Sequence, residues 1–235
     1  MSLSRRRTLT LGGSLIIATS NAALAQSDPL AGLRMTKGPH FLASESEFAG
    51  RRCLKVTLTD VRQKSAAPQR TVAAVAVLPT DLQNGTVEAD VAGVVNGRGD
   101  PDSRGFVGLA FHVTDDAEAY QAVYLRMTNG MLMSPPPSAP RNIRAVQYIA
   151  HPDWHFEPLR KAAPDVYEKA ASVAPGRWFR LKLDVTGSTV KAYVDNTLVL
   201  SVDSMKDFRG NGKVGLFVDD GTDAYFANLK VTLAS

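Results

Sequence analysis

The chain has 235 residues with 27 Lys+Arg, 23 Asp+Glu and one cysteine. That length suits one large domain, and a lone cysteine excludes an internal disulfide framework, so a packed core must hold the fold. Arg5, Arg6 and Arg7 fall in an acid-free start, leaving 24 basic against 23 acidic residues; near-neutrality, with no basic cluster interleaved by aromatics, argues against a nucleic-acid partner.

Residues 1–25 have the layout of a cleavable export signal: a basic start, an apolar middle, and Ala23-Leu24-Ala25 before Gln26. Ser4-Arg5-Arg6-Arg7-Thr8-Leu9 is twin-arginine-like, with Thr8 where an aromatic is usual; an ordinary secretory signal fits the same residues. The apolar run, interrupted by Gly12, Gly13 and Ser14, is too short for a membrane span. The expectation is a periplasmic or secreted protein with no stable membrane anchor once the signal is removed. Residues 26–39 read as a lead-in and 40–235 as one domain.

From residue 40 onward the pattern is period-two alternation punctuated by turns. Cys53 lies in the strand-like "RRCLKVTLTD", which reads as a buried apolar thiol. "GTVEADVAGVV" follows the Asn84-Gly85 turn and sends Val87, Ala89 and Val91 one way, Glu88 and Asp90 the other. "RGFVGLAFHV" separates Val107, Leu109, Phe111 and Val113 from Gly108, Ala110 and His112. "AYQAVYLRMT" places Val123, Leu125 and Met127 opposite Tyr120, Tyr124 and Arg126. In 145–149 the parity is ambiguous, because Val146 and Ile149 disagree. The prolines of "SPPPSAP" mark a loop, and "PDVYEKAAS", with Pro164 near its first turn, is the one helix the pattern predicts. "RWFRLKLDV" alternates again, and "TVKAYVD", "TLVLSVD", "GKVGLFVDD" and "AYFANLKVTL" complete a set of short, half-buried strands. The predicted fold class is all-β, a two-sheet antiparallel sandwich with one short helix in a long loop.

"RGFVGLAFHVTDDAEAYQAVYLR", "AVQYIAHPDW", "GRWFRLKLDVTGSTVKAYVDN" and "GKVGLFVDDGTDAYFANLKV", in that order, resemble the concanavalin A-like lectin/glucanase superfamily. The likeness extends to its bacterial laminin-G-like and 3-keto-disaccharide hydrolase-like group and covers roughly residues 40–233. It implies a jelly roll with one concave sheet. The fold hosts lectins, hydrolases and adhesion modules alike, so activity has to be read from the site.

Laminarinase-type members of that superfamily carry Glu-x-Asp-x-Glu on one strand. Here Glu88 and Asp90 match, but Ala92 stands at the third position, which removes a carboxylate that retaining hydrolysis needs. His151, His155 and Glu157 are metal-ligand types, but Pro152 and Pro158 argue against the helical face that would converge them. The acids of "DDGTD" suit a turn. Arg98-Gly99-Asp100 reads as a hairpin loop. No metal and no cofactor are expected.

The remaining candidate is a surface. Tyr124, Arg126, Gln147, Tyr148, His151 and Trp154, with His112, Glu88 and Asp90 as polar neighbours, supply rings that stack on sugars and groups that bond hydroxyls. The expectation is a carbohydrate ligand on the concave sheet. Two alternatives stand beside it. One is a glycoside hydrolase or lyase with its acid/base among His151, His155, Glu88 and Asp90; the other is a non-catalytic envelope interaction protein. The same aromatics could instead pack the 129–176 excursion onto the sheet.

Overall fold

The computed structural model describes residues 41–59 and 74–234. The export signal and the lead-in of the sequence reading lie outside the described residues. Among those described, the strands are β1 (Phe41–Phe48), β2 (Arg51–Leu58), β3 (Ala74–Leu82), β4 (Gly85–Val95), β5 (Phe106–Val113), β6 (Tyr120–Arg126) and β7 (Val146–His151). A helix, α1 (Phe156–Ala162), follows, then β8 (Glu168–Lys169), β9 (Phe179–Thr186), β10 (Thr189–Val194), β11 (Thr197–Val202), β12 (Gly212–Val218) and β13 (Thr222–Leu233). They form two antiparallel sheets, ordered β1-β2-β13-β4-β9-β10-β11 and β3-β12-β5-β6-β7-β8. The architecture is an all-β jelly-roll sandwich. No helix among the described residues is long and apolar enough to cross a membrane.

The seven-stranded sheet follows the period-two rule along β4 and β9 because its inner face is buried while its outer face, apart from a small cluster of Cys53, Ala92, Tyr225 and Ala227, meets water. On β4, Val87, Ala89 and Val91 are inaccessible while Glu88 and Asp90 point outward. Across the ladder, β9 does the same with Phe179, Leu181, Leu183 and Val185 inside and Arg180, Lys182 and Asp184 outside. The outward acids and bases meet in register, as with Asp90 opposite Arg180 and Glu88 opposite Lys182.

The six-stranded sheet is buried on both faces through β6, whose seven residues are all inaccessible. Its inward side is identified at Gly93 of β4, where an added Cβ would lie 3.1 Å from both Met127 and Val107. Alternation and register then put Leu109, Phe111, Val123, Leu125 and Tyr148 inward. Gly108, Ala110, Ala122, Tyr124, Arg126, Gln147 and Ile149 face outward, where α1 packs near β7.

The helix does not lie where the sequence pattern places it. "PDVYEKAAS" forms turns and the short strand β8, and the helix is Phe156–Ala162. Pro158 is its third helical residue, where the backbone N–H has no intrahelical partner, so the ring that argues against a longer helix is tolerated here. Leu159 anchors the helix by complete burial.

Candidate functional site

The outer face of the six-stranded sheet is built in rows. One row runs Phe217, Gly108, Tyr124, Gln147 and Glu168 across β12, β5, β6, β7 and β8. Gly108 is required by its neighbours: a Cβ there would lie 2.4 Å from the Val123 carbonyl oxygen and 2.5 Å from the Tyr124 Cβ. Without that atom, the Tyr124 and Phe217 rings stack at 4.7 Å with 17° between planes. The next row is small, Gly215, Ala110 and Ala122, followed by Ile149. Tyr120 closes the face at one end, stacked on His151 at 4.7 Å.

At the other end sits an ionic cluster. The Glu168 side chain is 2% exposed. Its Oε1 accepts Arg160 Nε at 2.6 Å, and its Oε2 accepts Arg160 Nη2 at 2.7 Å and Arg126 Nη1 at 3.1 Å. Arg144 Nε lies 2.9 Å from Oε1. Burial by itself raises this carboxyl, but the hydrogen bonds and charges of Arg160 and Arg126 overcome it and hold Glu168 below the ordinary glutamate range. Arg126 Nη2 donates to the Tyr124 hydroxyl at 3.2 Å; burial pushes that phenol up, so it stays neutral. The Phe156 ring lies under two guanidinium carbons, 5.6 Å from Arg126 and 4.8 Å from Arg160. Phe106, paired in register with Arg126, meets the Tyr124 ring edge-on at 5.9 Å. Phe106 and Phe156 are half-buried, and the cluster reaches solvent through Arg144 and Arg160, each 28% exposed.

Of the residues singled out from the sequence, Tyr124, Arg126, Gln147 and His151 share this face. The ambiguous parity of β7 resolves with Gln147 outward and Tyr148 inward. The Tyr148 hydroxyl accepts the Lys206 backbone N–H at 3.0 Å and donates to Gln121 Oε1 at 3.3 Å. Trp154 bonds Ala150 through its backbone in both directions, and its half-buried ring carries Lys206 Nζ at 4.8 Å. It therefore sides with the surroundings of Tyr148. His112 leaves the face altogether. Its φ of 49° turns it out of the strand, opposite a register shift in β12, and Nε2 meets the Gln83 carbonyl oxygen at 3.2 Å. Burial lowers its pKa.

Glu88 and Asp90 are not neighbours of His112 or Tyr124, because β4 belongs to the other sheet. They point outward from it, held by Arg180 at 3.0 and 3.3 Å. His151 and His155 do meet, Nδ1 to Nε2 at 2.9 Å. Burial, then the neighbouring His151, lowers the His155 pKa to about 4. The four acid/base candidates thus divide between two sheets.

The sequence reading missed Glu168, Arg144, Arg160 and the flanking Phe106 and Phe156. Glu168 was hidden inside the predicted helix, where a glutamate is ordinary. The available signal was the arginine density around the excursion, with Arg126, Arg141, Arg144 and Arg160 in a stretch holding few acids.

No protein-family model matches the chain, and no curated protein sequence does either. Solved structures do resemble it. The carbohydrate binding module CBM66 from Bacillus subtilis matches at 15% identity, over 83% of this chain and 95% of that one, with a TM-score of 0.45. A Bacillus subtilis protein of unknown function with a galectin-like fold matches at 12%, over 81% and 87%, with a TM-score of 0.45. The Caenorhabditis elegans galectin LEC-6 matches at 10%, over 69% and 92%, with a TM-score of 0.40.

Proposed function

We propose that this protein is an exported saccharide-binding sandwich of the concanavalin A-like kind, whose ligand seats at the outer face of the six-stranded sheet, between Phe106 and Phe156. The observation that carries this reading is a buried row of Phe217, Tyr124, Gln147 and Glu168, with Arg126, that backs two partly exposed guanidiniums, Arg144 and Arg160, beside the half-buried rings of Phe106 and Phe156. Rings offer flat apolar surfaces to the C–H faces of sugars, and forked donors bind their oxygens. Export rests on residues 1–25 and their Ala23-Leu24-Ala25 boundary.

A glycan array probed with the chain lacking residues 1–25 tests the reading, followed by titration calorimetry on the best ligand. Saturable binding of at least one saccharide is expected, weakened about tenfold by Phe156→Ala at unchanged melting temperature. A blank array, or binding indifferent to Phe156→Ala, would sink it.

A further inference from the structure

The charge count at this site is unequal. Arg126, Arg144 and Arg160 all lie within 3.1 Å of one carboxylate, that of Glu168. A second acid, Asp219, acts on Tyr124 from across the face, and Tyr124 itself is a neutral phenol. On the outer side, Arg141 donates to Asn129 and Thr128 and feels the charge of Arg104, which is offset by Asp102. At the cluster itself three guanidiniums therefore stand against one carboxylate, at the end of a sheet whose central strand is buried.

The surplus is directional. Both Glu168 oxygens are already taken by Arg160 and Arg126, so the terminal nitrogens of Arg144 have no partner among the described residues. Arg144 and Arg160 are each 28% exposed, whereas Arg126 is 6% exposed. The Arg160 fork is engaged by Glu168, but the partly exposed Arg144 keeps its two terminal nitrogens, and such a pair matches a carboxylate or sulfate in two parallel bonds. Beneath them, Gln147, paired in register with Glu168, is buried with its Oε1 lacking a hydrogen-bond donor, so no donor from that oxygen's side competes for the cluster's anion.

Resting on the saccharide reading above, we infer that the ligand is an acidic sugar, one carrying a carboxylate or a sulfate, whose anion is held by Arg144 and Arg160 while a ring face lies against Phe156. The anion neutralises a cluster that the protein alone leaves positive.

The test is titration calorimetry of the chain lacking residues 1–25 against four probes: a neutral oligosaccharide, a galacturonate oligosaccharide, a chondroitin sulfate oligosaccharide and inorganic sulfate. One or both acidic sugars should bind at least tenfold more tightly than the neutral one, with affinity falling as salt rises. Arg144→Gln should erase that preference, and Arg144→Lys, which keeps the charge but not the fork, should restore only part of it. Melting temperatures show that each variant is folded, and Lys serves if Gln does not fold. Neutral sugar bound as tightly as acidic sugar overturns the inference and leaves the saccharide reading standing. Inorganic sulfate bound as tightly as the sugars overturns it as well, making this an anion site. Binding of no saccharide removes both.

Discussion

On the seven-stranded sheet, Asp90 is shared by Arg51 and Arg180, and Glu88 by Arg180 and Lys230. Arg51 is 49% exposed there and Lys230 65%. On the six-stranded sheet, three arginines converge on one acid, and Glu168 and Arg126 are sealed away. The inventories are alike; the solvent is not. Water and salt solvate the first network, so its individual pairs contribute little. In the second, the sealed Glu168 and Arg126 depend on their partners, and water reaches only Arg144 and Arg160.

The sharpest way to break this contrast is to remove the central acid. Glu168→Gln keeps the shape and leaves three guanidiniums with no anion. A cost of about 3–5 kcal/mol is expected, the range for an orphaned buried charge. Urea unfolding measures it. A loss below 1 kcal/mol would put Glu168 in the same class as its exposed counterparts and dissolve the distinction.

Acid titration separates the two ends of the covered face. His155 takes its proton near pH 6.5 when unfolded but only near 4 in the fold. Between those values the unfolded chain binds more protons, so stability falls as pH drops from about 6.5 to about 4, by at most about 3 kcal/mol. Glu168 acts lower down. Its folded carboxyl titrates below the unfolded value of about 4.3, so its contribution is complete above that pH and lost beneath it. Stability measured against pH should show both limbs. His155→Asn should shrink the upper limb, to which the buried His112 also contributes, and leave the lower limb as it is; an unchanged profile would remove the buried-imidazole account of His155.

Gly108→Ala tests the row geometry with a single methyl group. Its Cβ would collide with the Val123 carbonyl and the Tyr124 Cβ, both fixed in β6. A cost of about 1–3 kcal/mol is expected from overpacking. Near-ultraviolet circular dichroism should also report the disturbed stack of Tyr124 on Phe217. A variant as stable as the parent, with the same aromatic spectrum, would mean that the glycine is incidental.

These effects also mark what the sequence could reveal. Val87 to Val91 and Phe179 to Val185 alternate legibly because one side meets water. "YQAVYLR" alternates too, and correctly groups Tyr120, Tyr124 and Arg126, yet nothing in it shows that both sides are covered. In "AVQYIA" the period dissolves, since Val146 faces inward, Ile149 outward, and both are buried. The cluster itself was illegible for a different reason. Arg126, Arg144, Arg160 and Glu168 come from the end of β6, a loop, a helix and a two-residue strand, and only the docking of the excursion assembles them. A proline read as a breaker moved the helix from its true place and concealed Glu168 within a false one.

The smallest expected effect lies on the exposed sheet, and it completes the comparison. Glu88→Gln removes one partner of Arg180 and Lys230, but Arg180 retains Asp90 and the Asn228 carbonyl at 2.8 Å. The guanidinium is therefore not orphaned, and water reaches the rest of the network. The cost should stay below about 1 kcal/mol at low salt. In 1 M salt, where screening acts over roughly 3 Å, it should shrink toward zero. Glu168→Gln, shielded by α1 and the arginines themselves, should keep most of its larger cost in the same buffer. Parallel salt series on the two variants thus separate charge that solvent governs from charge that the fold governs; equal salt sensitivity would show the covered face to be wetter than its burial implies.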